Sequence, residues 1–287
     1  MKRIFAFCNQ KGGVGKTTTT INLGTILAQN GYRVLILDMD SQGNATSGLG
    51  SEKPGLEFTT YQLLVDNEKD DHNLIRQTEI PNLFLIPASA ELVGADLELF
   101  QQERREFRLR EKLRPLAENF DFVLMDCPPS LGLVTLNCLT SSDYIIIPLQ
   151  CEYYALEGLG QLIQTYQLVQ QKLNSDLQIG GVLLTMADLR TNLTQQVIEE
   201  VRKYFKEQVF ETIIPRSVKL SEAPSFGKPA VIYDPHNRGS KAYWEVAREF
   251  ERRFAAASRV SENPTATEAP RSEVGEGAKI SQEENVS

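Results

Sequence analysis

Lys11, Gly12, Gly13, Val14, Gly15, Lys16, Thr17 and Thr18 stand between an apolar run, Ile4 to Cys8, and a helical pattern that continues to Leu27. Those residue types in that order make a phosphate cradle. Glycine backbone can turn its N–H groups onto phosphate oxygens with no Cβ in the way. Lys16 brings a point charge to the β- and γ-phosphates, and the Thr17 hydroxyl can reach Mg²⁺. Glycine clusters also build ordinary turns, but a turn does not call for lysine and threonine at a strand-to-helix junction. Gln10 occupies a place where the common cradle has glycine, and Lys11 is a lysine that the common cradle does not need.

Three aspartates follow apolar runs. Asp38 and Asp40 lie where the second run gives way to Ser41, Gln42 and Gly43. Just past the end of a strand, a carboxylate in a nucleotide site can hold an attacking water. A continuing strand points both aspartates to one side, whereas a turn at Asp40 separates them. Aspartate here also serves as a helix cap or turn former, and it is the neighbouring cradle that favours chemistry. Asp126 closes the run Phe122, Val123, Leu124, Met125 and can hold Mg²⁺ through water, complementing the Thr17 hydroxyl. Pro128 and Pro129 then make a rigid turn or simply end the strand.

The elements that must position these groups alternate. Short apolar runs at 33–37, 83–86, 122–125, 144–147, 179–184 and 209–213 predict strands, and helical patterns occupy 17–29, 107–117, 155–173 and 194–205. Such alternation predicts an α/β fold, a doubly wound, mostly parallel sheet flanked by helices, with ligands at the carboxyl ends of its strands. Segment 51–71 is acidic and irregular, with a short helix expected at 61–65. The spacing of Tyr243, Val246, Ala247, Phe250 and Phe254 predicts a last amphipathic helix packed on the sheet. One domain over 1–257 and a disordered, acidic C-terminal tail over 258–287 are expected.

With 287 residues, 41% of them hydrophobic, the chain is long enough for one sizeable core. A formal net charge of -8 argues against a uniformly basic coat for nucleic acid but leaves room for a local basic face. Cys8, Cys127, Cys138 and Cys151 lack C-x-x-C spacing and sit in or beside apolar runs, as buried thiols of a reducing compartment do. The basic start at Met1, Lys2 and Arg3 leads into a run too short for a signal peptide, and no stretch approaches a transmembrane span. A cytoplasmic protein is expected.

The paired lysines Lys11 and Lys16 resemble the deviant Walker loop of the ParA/MinD class of P-loop ATPases. Segments 126–132, 150–158 and 214–225 resemble further signatures of the bacterial ParA/Soj-type chromosome-partition ATPases, and the likeness extends nearly to Phe254. It implies an ATPase with ATP and Mg²⁺ as cofactors; an Asn-Lys-x-Asp guanine motif is absent. In such a family Lys11 reaches across a nucleotide-sandwich homodimer to the partner's phosphates. Asp40 positions the hydrolytic water, Asp38 stands nearer the Mg²⁺ shell, and Pro215 borders the adenine. Ser41 replaces the usual proline. The resemblance also implies nonspecific binding of double-stranded DNA through Arg190, Arg216 and Lys219, with Arg238 and Lys241 as weaker additions. Lys219 stands where relatives often carry arginine, which keeps the charge but loses bidentate phosphate geometry. A ParB-type centromere-binding protein would stimulate turnover, and the protein would associate with the nucleoid. Because the sequence opens on its first strand, the short chromosomal type, without an N-terminal helix-turn-helix domain, is the expectation that the resemblance implies.

Three rivals share the loop. A positioning ATPase for another cargo fits the same residues. A MinD-like membrane-cycling ATPase would need a basic amphipathic C-terminus, and Glu262, Glu268, Glu273, Glu276, Glu283 and Glu284 argue against it. A reductase like the nitrogenase iron protein needs two suitably placed cysteines, whereas only Cys127 lies in the right region.

Overall fold

Runs rich in β-branched, aromatic and leucine side chains form the strands β1 (Ile4–Phe7), β2 (Val34–Asp38), β3 (Arg76–Gln77), β4 (Leu83–Ile86), β5 (Phe122–Asp126), β6 (Tyr144–Gln150) and β7 (Gln178–Thr185). The computed structural model describes residues 4–51, 58–66, 74–152 and 155–255. Its sheet has the order β3-β4-β2-β5-β1-β6-β7, parallel throughout except for the short antiparallel edge strand β3.

Among the described residues the helices are α1 (Lys16–Gln29), α2 (Asn44–Gly48), α3 (Thr60–Val65), α4 (Leu92–Phe100), α5 (Arg108–Leu116), α6 (Leu133–Ser141), α7 (Ala155–Lys172), α8 (Asn192–Phe205), α9 (Val218–Glu222), α10 (Ala230–Tyr233) and α11 (Arg238–Phe254). They cover both faces of the sheet, which is why the strands read as continuous apolar runs and not as alternating ones. Ala6, Leu35, Leu37, Val123 and Met125 pack with Leu63, Leu113, Cys138 and Val197 on one face. Phe5, Val34, Ile36, Phe122 and Leu124 pack with Ile26, Ala45, Leu220 and Phe250 on the other. The sheet is therefore doubly wound, as the sequence predicts.

The last helix seats its stripe on the sheet: Phe5 lies 4.7 Å from Phe250 and 4.9 Å from Phe254, ring centre to ring centre. Thr59 caps α3 in a reciprocal arrangement with Gln62, which explains a short helix in an otherwise irregular stretch. All four cysteines are free and buried. No helix among the described residues is long and apolar enough to cross a membrane.

One expected strand does not form. Residues 209–213 run beside β7 but make a single isolated bridge, Val182 with Val209; a second bridge, Ala187 with Pro215, lies just beyond both segments. Phe210 and Ile214 donate their amides to β7, at Val182 and Leu184, whereas Glu211 and Thr212 turn theirs to the buried carboxylate of Glu249 on α11. A carboxylate that captures consecutive amides takes the segment out of the ladder. Helices α4 and α6 go beyond the helical patterns read from the sequence. The expected tail from 258 onward, and most of the irregular 51–71 segment, lie outside the described residues.

Candidate nucleotide site

Five parallel strands bring their carboxyl ends together: β1 enters the glycine loop, β2 and β5 end at Asp38 and Asp126, and β6 and β7 end at Gln150 and Thr185. Register pairs Asp126 with both Phe7 and Asp38, so loop and carboxylates share one edge of the sheet. Gly13 and Gly15 take left-handed backbone, φ 72° and 90°, which a side chain would strain. No atom lies within 4 Å of where a Cβ at Gly12 or Gly13 would sit. The uncrowded loop leads directly into the start of α1, where unpaired N–H groups favour an anion.

Neighbouring strands hold the loop in shape. Thr185 Oγ1 donates to the Val14 carbonyl at 2.8 Å, Asn9 Nδ2 donates to the Pro148 carbonyl at 2.8 Å, and the Lys11 amide donates to Asn9 Oδ1 at 3.0 Å. Lys16 is buried, its Nζ donating to the carbonyls of Asn9 and Lys11 at 3.0 and 3.2 Å. The amine thus lies curled in the loop and is held by neutral carbonyls, which phosphate oxygens readily outcompete.

Thr17 Oγ1 donates to Asp126 Oδ2 at 2.7 Å, joining the start of α1 to the end of β5. Asp126 Oδ1 is buried with no hydrogen-bond partner among the described residues. Burial, and then the charge of Asp38, push the Asp126 carboxyl well above its ordinary range, while the Thr17 bond and Lys16 pull it down. An orphaned carboxylate oxygen beside a threonine hydroxyl, in a site short of positive charge, fits a hard divalent cation or the water bound to one.

Asp38 and Asp40 have different surroundings. Asp38 Oδ2 accepts both the amide and the hydroxyl of Thr46 at 2.7 Å each, and Oδ1 accepts the Asp40 amide at 3.2 Å. Burial pushes its carboxyl up to about 6, against those hydrogen bonds, which favour the charged form. Both Asp38 oxygens accept hydrogen bonds from protein, and Asp38 is the register neighbour of Asp126 across the ladder. Asp40 lies beyond the strand in a turn, its Oδ1 accepting the Gln42 amide at 3.0 Å. Of the two, it is the partly exposed one.

A cleft of about 330 Å³ extends from Gly15 and Thr18 to Met186, Pro215, Arg216 and Val218. Pro215 is placed on its wall by the bridge to Ala187. Met186 adopts φ 52°, a left-handed backbone that costs a non-glycine residue on the order of 1 kcal/mol, and such strain gathers at functional sites.

The three candidate DNA contacts lie on loops and a short helix beyond β7: the Arg216 amide donates to the Ala187 carbonyl at 3.1 Å, and Lys219 follows on α9. Each has an acid beside it. The Arg190 guanidinium forms two bonds to Asp188, at 2.8 and 2.6 Å, Lys219 Nζ donates to Glu222 at 2.9 Å, and Arg216 lies 3.8 Å from Glu152. Arg238 donates to the Arg216 carbonyl. The Lys11 amine lies 2.9 Å from Glu152. Thr46 and Thr185 carry no motif of their own, and sequence reasoning missed both. Glu152 stands in the 150–158 segment without any role read for it.

A family model whose description is "AAA domain" matches residues 2–179. The chain is 57% identical over 249 residues to the sporulation initiation inhibitor protein Soj of Bacillus subtilis, covering 87% of this chain and 98% of that one. It is 54% identical over 251 residues to the chromosome partitioning protein ParA of Myxococcus xanthus, covering 88% of each. A Mycobacterium smegmatis structure called cobyrinic acid a,c-diamide synthase, with ADP and magnesium bound, superposes with TM-score 0.78 at 35% identity over 90% of this chain and 97% of that one.

Proposed function

This chain belongs to the ParA/Soj family of P-loop ATPases, and on that premise we propose that it is an ATP-hydrolysing chromosome or plasmid partition protein. The observation that carries the chemistry is the bond from Thr17 to Asp126, with the second Asp126 oxygen left unsatisfied beside an open glycine loop. The ATPase is the domain 1–257. Backbone amides of 12–18 and the Lys16 amine bind the phosphates, and the base lies along Pro215. Thr17 and Asp126 would hold Mg²⁺, with Asp38 beside them near its shell. Magnesium, when bound, neutralises charge that develops between the β- and γ-phosphates. Asp40 orients the water, and Lys11 serves the phosphates of a second copy.

In the ATP state two copies close into a sandwich that binds double-stranded DNA of any sequence through Arg190, Arg216 and Lys219, which places the protein on the nucleoid. A ParB-type centromere-binding protein stimulates hydrolysis and so release. Phosphate release from ATP and Mg²⁺, measured with and without duplex DNA and a ParB-type protein, tests this reading. The expected result is slow basal turnover that rises when both are present. No turnover with any of them would overturn it.

A further inference from the structure

Three groups, two from loops and one from the end of β6, converge on the Glu152 carboxylate. Lys11 Nζ donates to Oε2 at 2.9 Å, Gln150 Nε2 donates to Oε1 at 2.5 Å, and Arg216 stands 3.8 Å from Oε1. Lys11 belongs to the glycine loop, Glu152 follows β6, and Arg216 follows the segment that borders β7. The phosphate cradle does not need this arrangement, because Lys16 gives its bonds to the loop carbonyls. Here the lysine meant to serve a second subunit is held within its own.

We propose that Glu152 is a positioning residue that parks Lys11 until a second copy closes on nucleotide, when the amine exchanges the carboxylate for phosphate oxygens of the facing subunit. The inference rests on the sandwich dimer proposed above. An amine 2.9 Å from an acid of its own chain is not extended toward another chain, so dimerisation must break this pair. The two side chains are 35% and 44% exposed, so the pair biases the Lys11 population by up to about fivefold. That bias is small enough to reverse. Phosphate oxygens carry more charge than one carboxylate and win the amine once nucleotide is bound. Arg216 lies close enough to keep a cation beside Glu152 after Lys11 has left, which lowers the cost of the exchange.

The test uses the full chain and Glu152→Gln, which keeps size and hydrogen bonding while removing the charge. Lys11 is labelled with an amine-reactive reagent in the nucleotide-free protein, and its rate is read by peptide mass spectrometry. Its labelling should rise roughly two- to fivefold in the variant. Lys219, which is held by Glu222, should keep its rate and serves as the internal control. The ATP concentration that gives half-maximal dimer in light scattering should fall by a similar factor. An unchanged Lys11 rate in the variant, or a dimer that needs the same or more ATP, overturns the parking role. Wild-type protein that stays monomeric with ATP while its Lys11 still responds to Glu152→Gln overturns the sandwich reading instead.

Discussion

Asp38 and Thr46 are joined twice: one carboxylate oxygen receives both the backbone amide and the hydroxyl of Thr46, at 2.7 Å each. The pair laces the end of β2 to α2 and closes the turn that carries Asp40. Thr46 Oγ1 also accepts the Ala88 amide at 3.0 Å, so a single buried hydroxyl serves two loops.

Thr46→Val keeps the shape and removes that hydroxyl. A buried carboxylate then loses one partner and a buried amide loses its acceptor, a cost of about 1–3 kcal/mol. Urea unfolding should show that loss as a lower midpoint at unchanged slope. Turnover should fall as well, because the turn holding Asp40 is no longer tied at both ends. A stability within about 0.5 kcal/mol of wild type, the size of a neutral surface change, would remove Thr46 from this bracing role.

Lys16→Ala should weaken ATP binding at least about a hundredfold, since charge-assisted bonds to phosphate are each worth roughly 1.5–3 kcal/mol. The amine already lies inside the cradle, buried against the loop carbonyls, so its removal leaves the phosphates with backbone amides alone. Titration calorimetry with Mg-ATP gives the answer directly. Undiminished affinity would sink the assignment of the glycine loop.

What the sequence made legible was whatever depends on residue type at a fixed backbone position. Gly13 and Gly15 are glycine because the loop needs left-handed backbone, and apolar runs buried on both faces declare a parallel sheet. Partners brought from far along the chain were not legible. Thr185 holds the Val14 carbonyl from 171 residues away, and Glu152 holds Lys11 from 141. The segment 209–213 reads as a strand by composition, yet Glu249 takes two of its amides, and no local pattern predicts that capture. Helix α6 has buried residues almost all round, so it lacks the one-sided stripe by which a surface helix is recognised.

Asp40→Ala should separate binding from hydrolysis. The glycine loop, Thr17 and Asp126 are untouched by the change, whereas the water loses its orienting carboxylate. ATP should still bind, phosphate release should fall by at least about a hundredfold, in line with the size of a general-base contribution, and an ATP-bound dimer should accumulate. Light scattering alongside a phosphate-release assay reads both. Wild-type turnover would show that another group orients the water.

The last prediction concerns the acid beside each proposed DNA contact. Arg190 is 88% exposed at its side chain but spends its guanidinium on Asp188, whose carboxyl it holds down at about 2. To grip a DNA phosphate, Arg190 has to give up that bidentate bond. Asp188→Ala removes the competitor and one negative charge, and should raise affinity for any duplex several-fold. Arg190→Glu should do the reverse and flatten the dependence on salt by roughly one unit for each phosphate that Arg190 no longer neutralises. Both changes lie beyond β7, away from Thr17 and Asp126, so ATP-dependent dimerisation should survive them. Fluorescence anisotropy on two unrelated duplexes across a salt series, with Asp40→Ala protein held in ATP and with wild type in ADP, makes the comparison. If Asp188→Ala weakens binding, or if one duplex is strongly preferred, Arg190 is not a phosphate contact, and the basic face must be sought around Arg216 and Lys219 alone.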